Sequence, residues 1–108
     1  MKIELLYFDG CPSYADLLPR LRELIASEGI DEDVELRRVE TPEQAERELF
    51  LGSPTVRIDG EDVDPTAKDR DEFGLECRLY RTDQGLARTP PDDWIRAALQ
   101  RYSRSVPG

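Results

Sequence analysis

The most reactive side chains in this sequence are those of its two cysteines, Cys11 and Cys77. Cys11 follows an apolar run at residues 2–8, which predicts a strand, and precedes an apolar pattern with helical spacing. A cysteine at the start of a helix lies among free backbone N–H groups at the positive end of the helix dipole. This position favours the thiolate, with pKa values of about 3.5–7.5 against about 8.5 in free cysteine. Cys11 is therefore predicted to be a nucleophilic or metal-binding thiol, with a packed turn residue as the alternative.

The charges around Cys11 are less favourable to a thiolate. Asp9 lies close to it in sequence, and a nearby carboxylate raises the pKa of a thiol. Asp9 is a candidate proton donor or acceptor, with a solvated turn residue as the alternative interpretation. The chain contains no histidine, which excludes Ser-His-Asp and Cys-His catalytic units and any imidazole metal site.

Cys77 follows Cys11 by 66 residues, and the sequence does not predict whether the two sulfurs meet. Cys77 alternates with Leu75 and Leu79, which predicts a strand with the cysteine on its apolar face. This pattern favours a buried structural cysteine, because free cysteine is among the most buried residue types. A disulfide with Cys11 would require Cα atoms within about 7 Å. Arg78, on the other face of the predicted strand, is expected to be exposed.

The first half of the chain contains the elements that position Cys11. The helix predicted after Cys11 contains Pro19, which should kink it, and ends at Gly29. A second strand is predicted at residues 34–39, with apolar side chains on one face.

The sequence Thr41-Pro42-Glu43-Gln44 fits a capping box and predicts a second, short helix that runs to about Leu51. A third strand is predicted at residues 55–58, and Asp59-Gly60 predicts a hairpin into a return strand at 61–63.

The second half of the chain is more polar. Residues 64–72 are charged and lack periodicity, which predicts a surface excursion before the strand around Cys77. A last helix is predicted to open at residues 90–93, with Trp94 in its buried stripe, and residues 103–108 are predicted to be a frayed tail. The predicted order is β-α-β-α-β-β-α.

Length and charge limit the possible functions. The chain has 108 residues, a typical size for one domain, and a formal net charge of −9. Such a charge repels phosphate backbones and anionic lipid, which argues against nucleic acid and membrane surfaces as partners. The sequence contains neither a long apolar run nor the core of a signal peptide, so a cytoplasmic location is expected.

Three features together resemble the thioredoxin-like superfamily, in particular its glutaredoxin-like and small bacterial members. Cys11-Pro12-Ser13-Tyr14 follows the predicted first strand, Pro19 lies in the following helix, and Ser53-Pro54-Thr55 precedes the third strand. The resemblance covers about residues 1–63 and the final helix. It implies an α/β fold with a central mixed four-stranded sheet flanked by helices, here with a polar insertion before the last strand.

The resemblance also implies roles for individual residues. Cys11 matches the attacking cysteine of the family, and Pro54 matches a cis-proline whose loop offers backbone groups to an extended peptide or a thiol ligand. Tyr14 replaces the second cysteine of the C-x-x-C motif, so a dithiol cycle requires Cys77. The implied substrate-binding residues are Pro12, Ser13, Tyr14, Ser53, Pro54 and Thr55, although Tyr14 also begins the apolar stripe of its helix.

Three functions remain open at this point. The first is a monothiol thiol–disulfide oxidoreductase with Cys11 as nucleophile and a protein or low-molecular-weight thiol or disulfide as partner. Its mixed-disulfide intermediate would be resolved by another thiol or by Cys77. The second is a mercury- or metalloid-handling thiol protein, including an organomercurial-lyase-like activity in which Asp9 would supply the proton. The third is a redox-inactive binding module. No cofactor is predicted, because Pro12 and Tyr14 crowd the position where monothiol glutaredoxins hold an iron–sulfur cluster.

Overall fold

A four-stranded mixed sheet forms the centre of the fold in the computed structural model, which describes residues 1–104. Its strands are β1 (Ile3–Tyr7), β2 (Val34–Arg38), β3 (Thr55–Ile58) and β4 (Glu61–Asp62). They lie in the order β2-β1-β3-β4. β1 is parallel to β2 and antiparallel to β3, and β4 is antiparallel to β3. The mixed α/β architecture and the four-stranded sheet predicted from the sequence are thus present.

Helices cover both faces of this sheet: α1 (Ser13–Ser27), α2 (Pro42–Arg47) and α3 (Asp92–Arg104). Successive side chains of a strand point to opposite faces. Leu5 of β1 therefore packs in the core cluster formed with α1 and α3, whereas the next residue, Leu6, packs in a second cluster with α2.

Helices α1 and α2 end in the same way, although only α1 ends at a glycine. Gly29 follows α1 with φ 71°, and Ile30 N donates to Ile25 O, a Schellman pattern. After α2 the left-handed residue is Leu49, with φ 55°, and Phe50 N donates to Ala45 O.

The predicted end of α2 near Leu51 was therefore wrong, since the helix ends at Arg47. Phe50 turns inward and is fully buried in the second core cluster, and its burial favours the early stop. The beginning of α2 is as predicted, because Thr41 Oγ1 accepts a hydrogen bond from Gln44 N at 3.0 Å.

The hairpin between β3 and β4 is confirmed. Asp59 and Gly60 both have positive φ, 51° and 86°, as a two-residue type I′ turn requires. This turn brings β4 beside β3 immediately, so the polar insertion follows the last strand of the sheet. The prediction that the insertion precedes it was wrong.

Of the strand predicted around Cys77, only an isolated parallel bridge between Ser53 and Cys77 is present. A separate hairpin forms farther along the chain, from β5 (Tyr80–Thr82) and β6 (Gly85–Ala87). The burial is the reverse of the predicted pattern, because Arg78 is 1% exposed and Leu79 is 50% exposed. The apolar alternation assigned the wrong side chains to the interior because Arg78 forms ion pairs with Asp62 and Asp64.

The last helix continues through Arg104, and the remainder of the predicted frayed tail, residues 105–108, lies outside the described residues. Trp94 is half-buried, and its ring meets that of Tyr80 edge-on at 6.2 Å. Within residues 1–104, no helix combines the length and apolar character needed to cross a membrane.

Candidate functional site

The two cysteines meet in the fold. Cys11 and Cys77 form a disulfide, with their Cα atoms 5.6 Å apart, which is within the usual range for this bond. Cys11 lies between β1 and α1, and Cys77 lies between the polar insertion and β5. The fold therefore juxtaposes the only two thiol-bearing residues in the sequence.

The two residues of the disulfide differ in exposure. Cys11 is buried, at 1% exposure, whereas Cys77 is exposed. The expectation that Cys77 is a buried core cysteine was wrong, because it lies at the surface above Cys11. A reagent in solution therefore reaches this disulfide from the side of Cys77.

Polar groups surround the buried sulfur of Cys11. Its Sγ lies 3.8 Å from Ser13 Oγ and 3.6 Å from the carbonyl oxygen of Ser53. Pro12 is the N-cap residue of α1, which begins at Ser13, so Cys11 precedes the helix as predicted. The hydroxyl of Ser13 is placed to donate a hydrogen bond to a thiolate at Cys11, in addition to the field of the helix N-terminus.

The backbone of Ser53 is paired with the segment that carries Cys77. Ser53 N donates to Glu76 O at 2.8 Å, and Arg78 N donates to Ser53 O at 2.9 Å. Gly52 permits this close approach, since a Cβ atom there would lie 2.9 Å from Glu76 O, and its φ is 124°. The Ser53 groups that the resemblance assigns to a peptide ligand are thus occupied by residues 76–78 of the chain itself.

The loop formed by residues 52–55 is held by its own side chains and by β5. The Ser53–Pro54 peptide bond is cis. Thr55 Oγ1 donates to Gly52 O at 2.6 Å, and the Tyr80 hydroxyl donates to Pro54 O. Ser53 Oγ is buried and has no hydrogen-bond partner among the described residues.

The other predicted site residues lie at the edge of this arrangement. Asp9 is exposed, and its carboxylate lies 3.1 Å from Arg38 Nη1. Hydrogen bonding by Glu40 and the charge of Asp9 raise the pKa of Arg38. Tyr14 stacks on Tyr7 with ring centroids 4.1 Å apart and packs against the main core. The position of Tyr14 fits the alternative interpretation, a residue of the apolar helix stripe.

Arg78 is the residue of this site that the sequence interpretation missed. Its side chain is fully buried and contacts Asp62 Oδ2 at 2.7 Å and Asp64 Oδ2 at 3.2 Å. Burial opposes its charge, but the interactions with Tyr80, Asp62 and Asp64 outweigh that effect and raise the pKa of Arg78. The signal in the sequence was a single arginine in an apolar alternation, together with aspartates at the alternate positions 62 and 64, which can form buried ion pairs with it.

The described residues contain no cluster of three or more histidine, cysteine or acidic side chains that could hold a metal ion. No protein-family model, curated protein or solved structure matches this chain. The chemistry of the site is therefore inferred from its own geometry.

Proposed function

We propose that the protein is a thiol–disulfide oxidoreductase with a thioredoxin-like fold, and that Cys11 and Cys77 form its redox couple. The observation that carries this proposal is the convergence of the two cysteines at the N-terminus of α1. The sheet order and the helices on both faces are compatible with the fold that the resemblance implies.

The two cysteines take different roles because they differ in exposure. In the reduced protein, the Cys77 thiolate attacks one sulfur of a substrate disulfide, forming a mixed disulfide and releasing the first substrate thiolate. The Cys11 thiolate then attacks Cys77 Sγ, closes the protein disulfide and expels the second substrate thiolate. The protein loses two electrons and the substrate gains them; the two thiol protons end on the released thiolates.

The reverse reaction regenerates the dithiol. A thiolate from solution attacks Cys77 Sγ, and Cys11 leaves as a thiolate. The start of α1 and the Ser13 hydroxyl, 3.8 Å away, favour that leaving group, since exchange is faster when the departing thiol has a low pKa. A second thiol then releases Cys77 from the mixed disulfide.

This cycle uses both protein thiols, one of the two routes that the sequence left open, but it assigns the first attack to Cys77 rather than to Cys11. Cys11 remains a nucleophile, but its target is the mixed disulfide on Cys77, because burial keeps Cys11 from meeting the substrate first. The partners are thiols or disulfides of small molecules or proteins. Such a reversible couple would function in a reducing compartment such as the cytoplasm.

Single-cysteine variants test these roles. Cys11→Ser and Cys77→Ser are each incubated with oxidised glutathione, and the adducts are located by peptide mass spectrometry. Cys11→Ser is expected to accumulate glutathione on Cys77, because the mixed disulfide has no second thiol to attack it. Cys77→Ser is expected to react much more slowly. Rapid glutathionylation of Cys11 in the absence of Cys77 would reverse the assigned order.

A second candidate function is favoured by the same convergence of sulfurs. Two adjacent thiolates are suitable ligands for a soft metal such as Hg(II). Mass spectrometry of the reduced protein would detect one mercury ion per chain, lost in either single-cysteine variant. An organomercurial lyase would also need an acid at the sulfurs, and the carboxylate of Asp9 is paired with Arg38 instead.

A further inference from the structure

Arg78, the residue that follows Cys77, is held by several side chains. Its Nη1 donates to Asp62 Oδ2 at 2.7 Å and to Thr55 Oγ1 at 3.0 Å. Its Nη2 lies 3.3 Å from Asp62 Oδ1 and 3.2 Å from Asp64 Oδ2. The contact with Asp62 is bidentate, a geometry that the planar guanidinium group provides and an ammonium group does not.

The same guanidinium is connected to the loop beside Cys11. It lies over the ring of Tyr80, 4.4 Å from the centroid, and the Tyr80 hydroxyl donates to Pro54 O. Thr55, which accepts from Arg78, donates in turn to Gly52 O. The side chains of Arg78 and Tyr80, which follow Cys77 in the chain, are thus hydrogen-bonded to the loop of residues 52–55.

The main chain reinforces this attachment. Arg78 N donates to Ser53 O, and Glu76 O accepts from Ser53 N, so hydrogen bonds hold the residues on both sides of Cys77. Ser53 O also lies 3.6 Å from Cys11 Sγ. The side-chain contacts of Arg78 are with Thr55, Asp62, Asp64 and Tyr80, and none of them involves the sulfur of Cys77.

We infer that Arg78 is a positioning residue that keeps Cys77 opposite Cys11 in the reduced protein as well as in the oxidised one. This inference rests on the proposed function. Two carboxylates contact this one buried guanidinium, so movement of the segment would remove it from both. Of the ion pairs described for Asp64, only the longer one with Arg70, at 3.9 Å, would remain. The segment therefore stays on Ser53 after reduction, and the two thiols keep a high effective concentration for each other.

The equilibrium constant for forming the disulfide tests this role. Wild type, Arg78→Lys and the matched control Arg81→Lys, at an exposed position in β5, are equilibrated in glutathione redox buffers. Free thiols are then alkylated and counted by mass spectrometry. Arg78→Lys is expected to lower the equilibrium constant about fivefold or more. Lysine cannot form the bidentate contact with Asp62, so residues 76–78 are held less firmly opposite Cys11. Arg81→Lys is expected to match wild type.

A second measurement examines the reduced protein directly. Amide exchange of Arg78 is expected to remain slow after reduction of wild type, since its N–H stays bonded to Ser53, and to become fast in Arg78→Lys. If Arg78→Lys does not fold, Asp64→Asn replaces it, with a smaller decrease in the constant expected.

The outcomes separate positioning from a purely structural role. Equal losses of stability in the oxidised and reduced forms of Arg78→Lys would leave the constant unchanged and overturn the inference. Fast exchange at Arg78 in reduced wild type would also overturn it. If wild type itself formed no reversible disulfide, the proposed function would fail and the inference with it. If wild type forms the disulfide and the constant is unchanged in Arg78→Lys, only the inference fails, so the two failures are distinguishable.

Discussion

Cys11 and Cys77 approach to 5.6 Å between Cα atoms, although 66 residues separate them along the chain. The contact joins the start of α1 to a segment outside the central sheet, and Ser53 lies beside both, near Cys11 Sγ and hydrogen-bonded to Glu76 and Arg78. One cysteine is buried and the other exposed. This asymmetry gives the two sulfurs separate roles in the proposed exchange, and each supporting contact leads to a measurable expectation.

The Ser13 hydroxyl is expected to stabilise the Cys11 thiolate. In a Cys77→Ser background, Ser13→Ala should raise the pKa of Cys11, because a nearby hydrogen-bond donor to the anion is lost. The alkylation rate of Cys11 near neutral pH should fall roughly threefold to tenfold. The control is Ser27→Ala at the other end of α1, where the hydroxyl donates to Leu24 O. Unchanged alkylation profiles in Ser13→Ala would show that the hydroxyl does not act on the thiolate.

Gly52 is expected to be required for the attachment of the Cys77 segment. In Gly52→Ala the new Cβ would lie 2.9 Å from Glu76 O, so the segment must shift. Gly85→Ala is the matched control, because its φ of 111° is similar and nothing lies within 4 Å. Gly85→Ala should lose only the stability cost of placing alanine at a positive φ, about 1–2 kcal/mol. Gly52→Ala should lose a further ~1–3 kcal/mol in urea unfolding.

The equilibrium constant for forming the Cys11–Cys77 disulfide is also measured in the two glycine variants. Gly52→Ala should weaken disulfide formation in glutathione buffer, whereas Gly85→Ala should not. Equal losses of stability in the two variants, with no change in the redox constant, would contradict the close approach at Gly52.

The Tyr80 hydroxyl is expected to make the free energy of unfolding depend on pH in the alkaline range. Burial raises the pKa of Tyr80, so the folded state keeps the tyrosine neutral while the unfolded chain ionises near about pH 10. Its contribution to stability is therefore complete below that pH and decreases above it. The free energy of unfolding of wild type should fall by up to about 1.4 kcal/mol per pH unit from this group.

Tyr80→Phe tests this expectation. The variant should be less stable than wild type at neutral pH by about 1–2 kcal/mol, since Pro54 O loses its donor. Its stability should then decline less steeply between about pH 10 and about pH 11. Parallel declines in wild type and Tyr80→Phe would mean that Tyr80 does not govern the alkaline transition.

The sequence was informative where local patterns determine the structure. The caps at Thr41 and Gly29 and the Asp59-Gly60 turn act through neighbouring residues, so their signals can be read along the chain. The apolar run at residues 2–8, which forms β1, is of the same kind. The placement of Cys11 before α1 follows from these local elements.

The remainder of the site depends on contacts between distant segments. Arg78 is buried because it forms ion pairs with Asp62 and Asp64. The alternation of apolar residues around it does not indicate these ion pairs. The same reversal of faces brings Cys77 to the surface above Cys11. The occupation of Ser53 by residues 76–78 likewise depends on the course of the polar insertion, which has no periodicity to interpret.

Titration of the wild-type protein over a series of glutathione redox buffers tests the central proposal most directly. Thiols are trapped by alkylation at each ratio, and the two cysteine peptides are quantified by mass spectrometry. The proposed couple predicts that Cys11 and Cys77 lose their free thiols together, in one reversible two-electron step, as an internal disulfide. Independent titration of the two residues, each ending as a separate glutathione adduct or not reacting, would contradict it and favour the redox-inactive binding module.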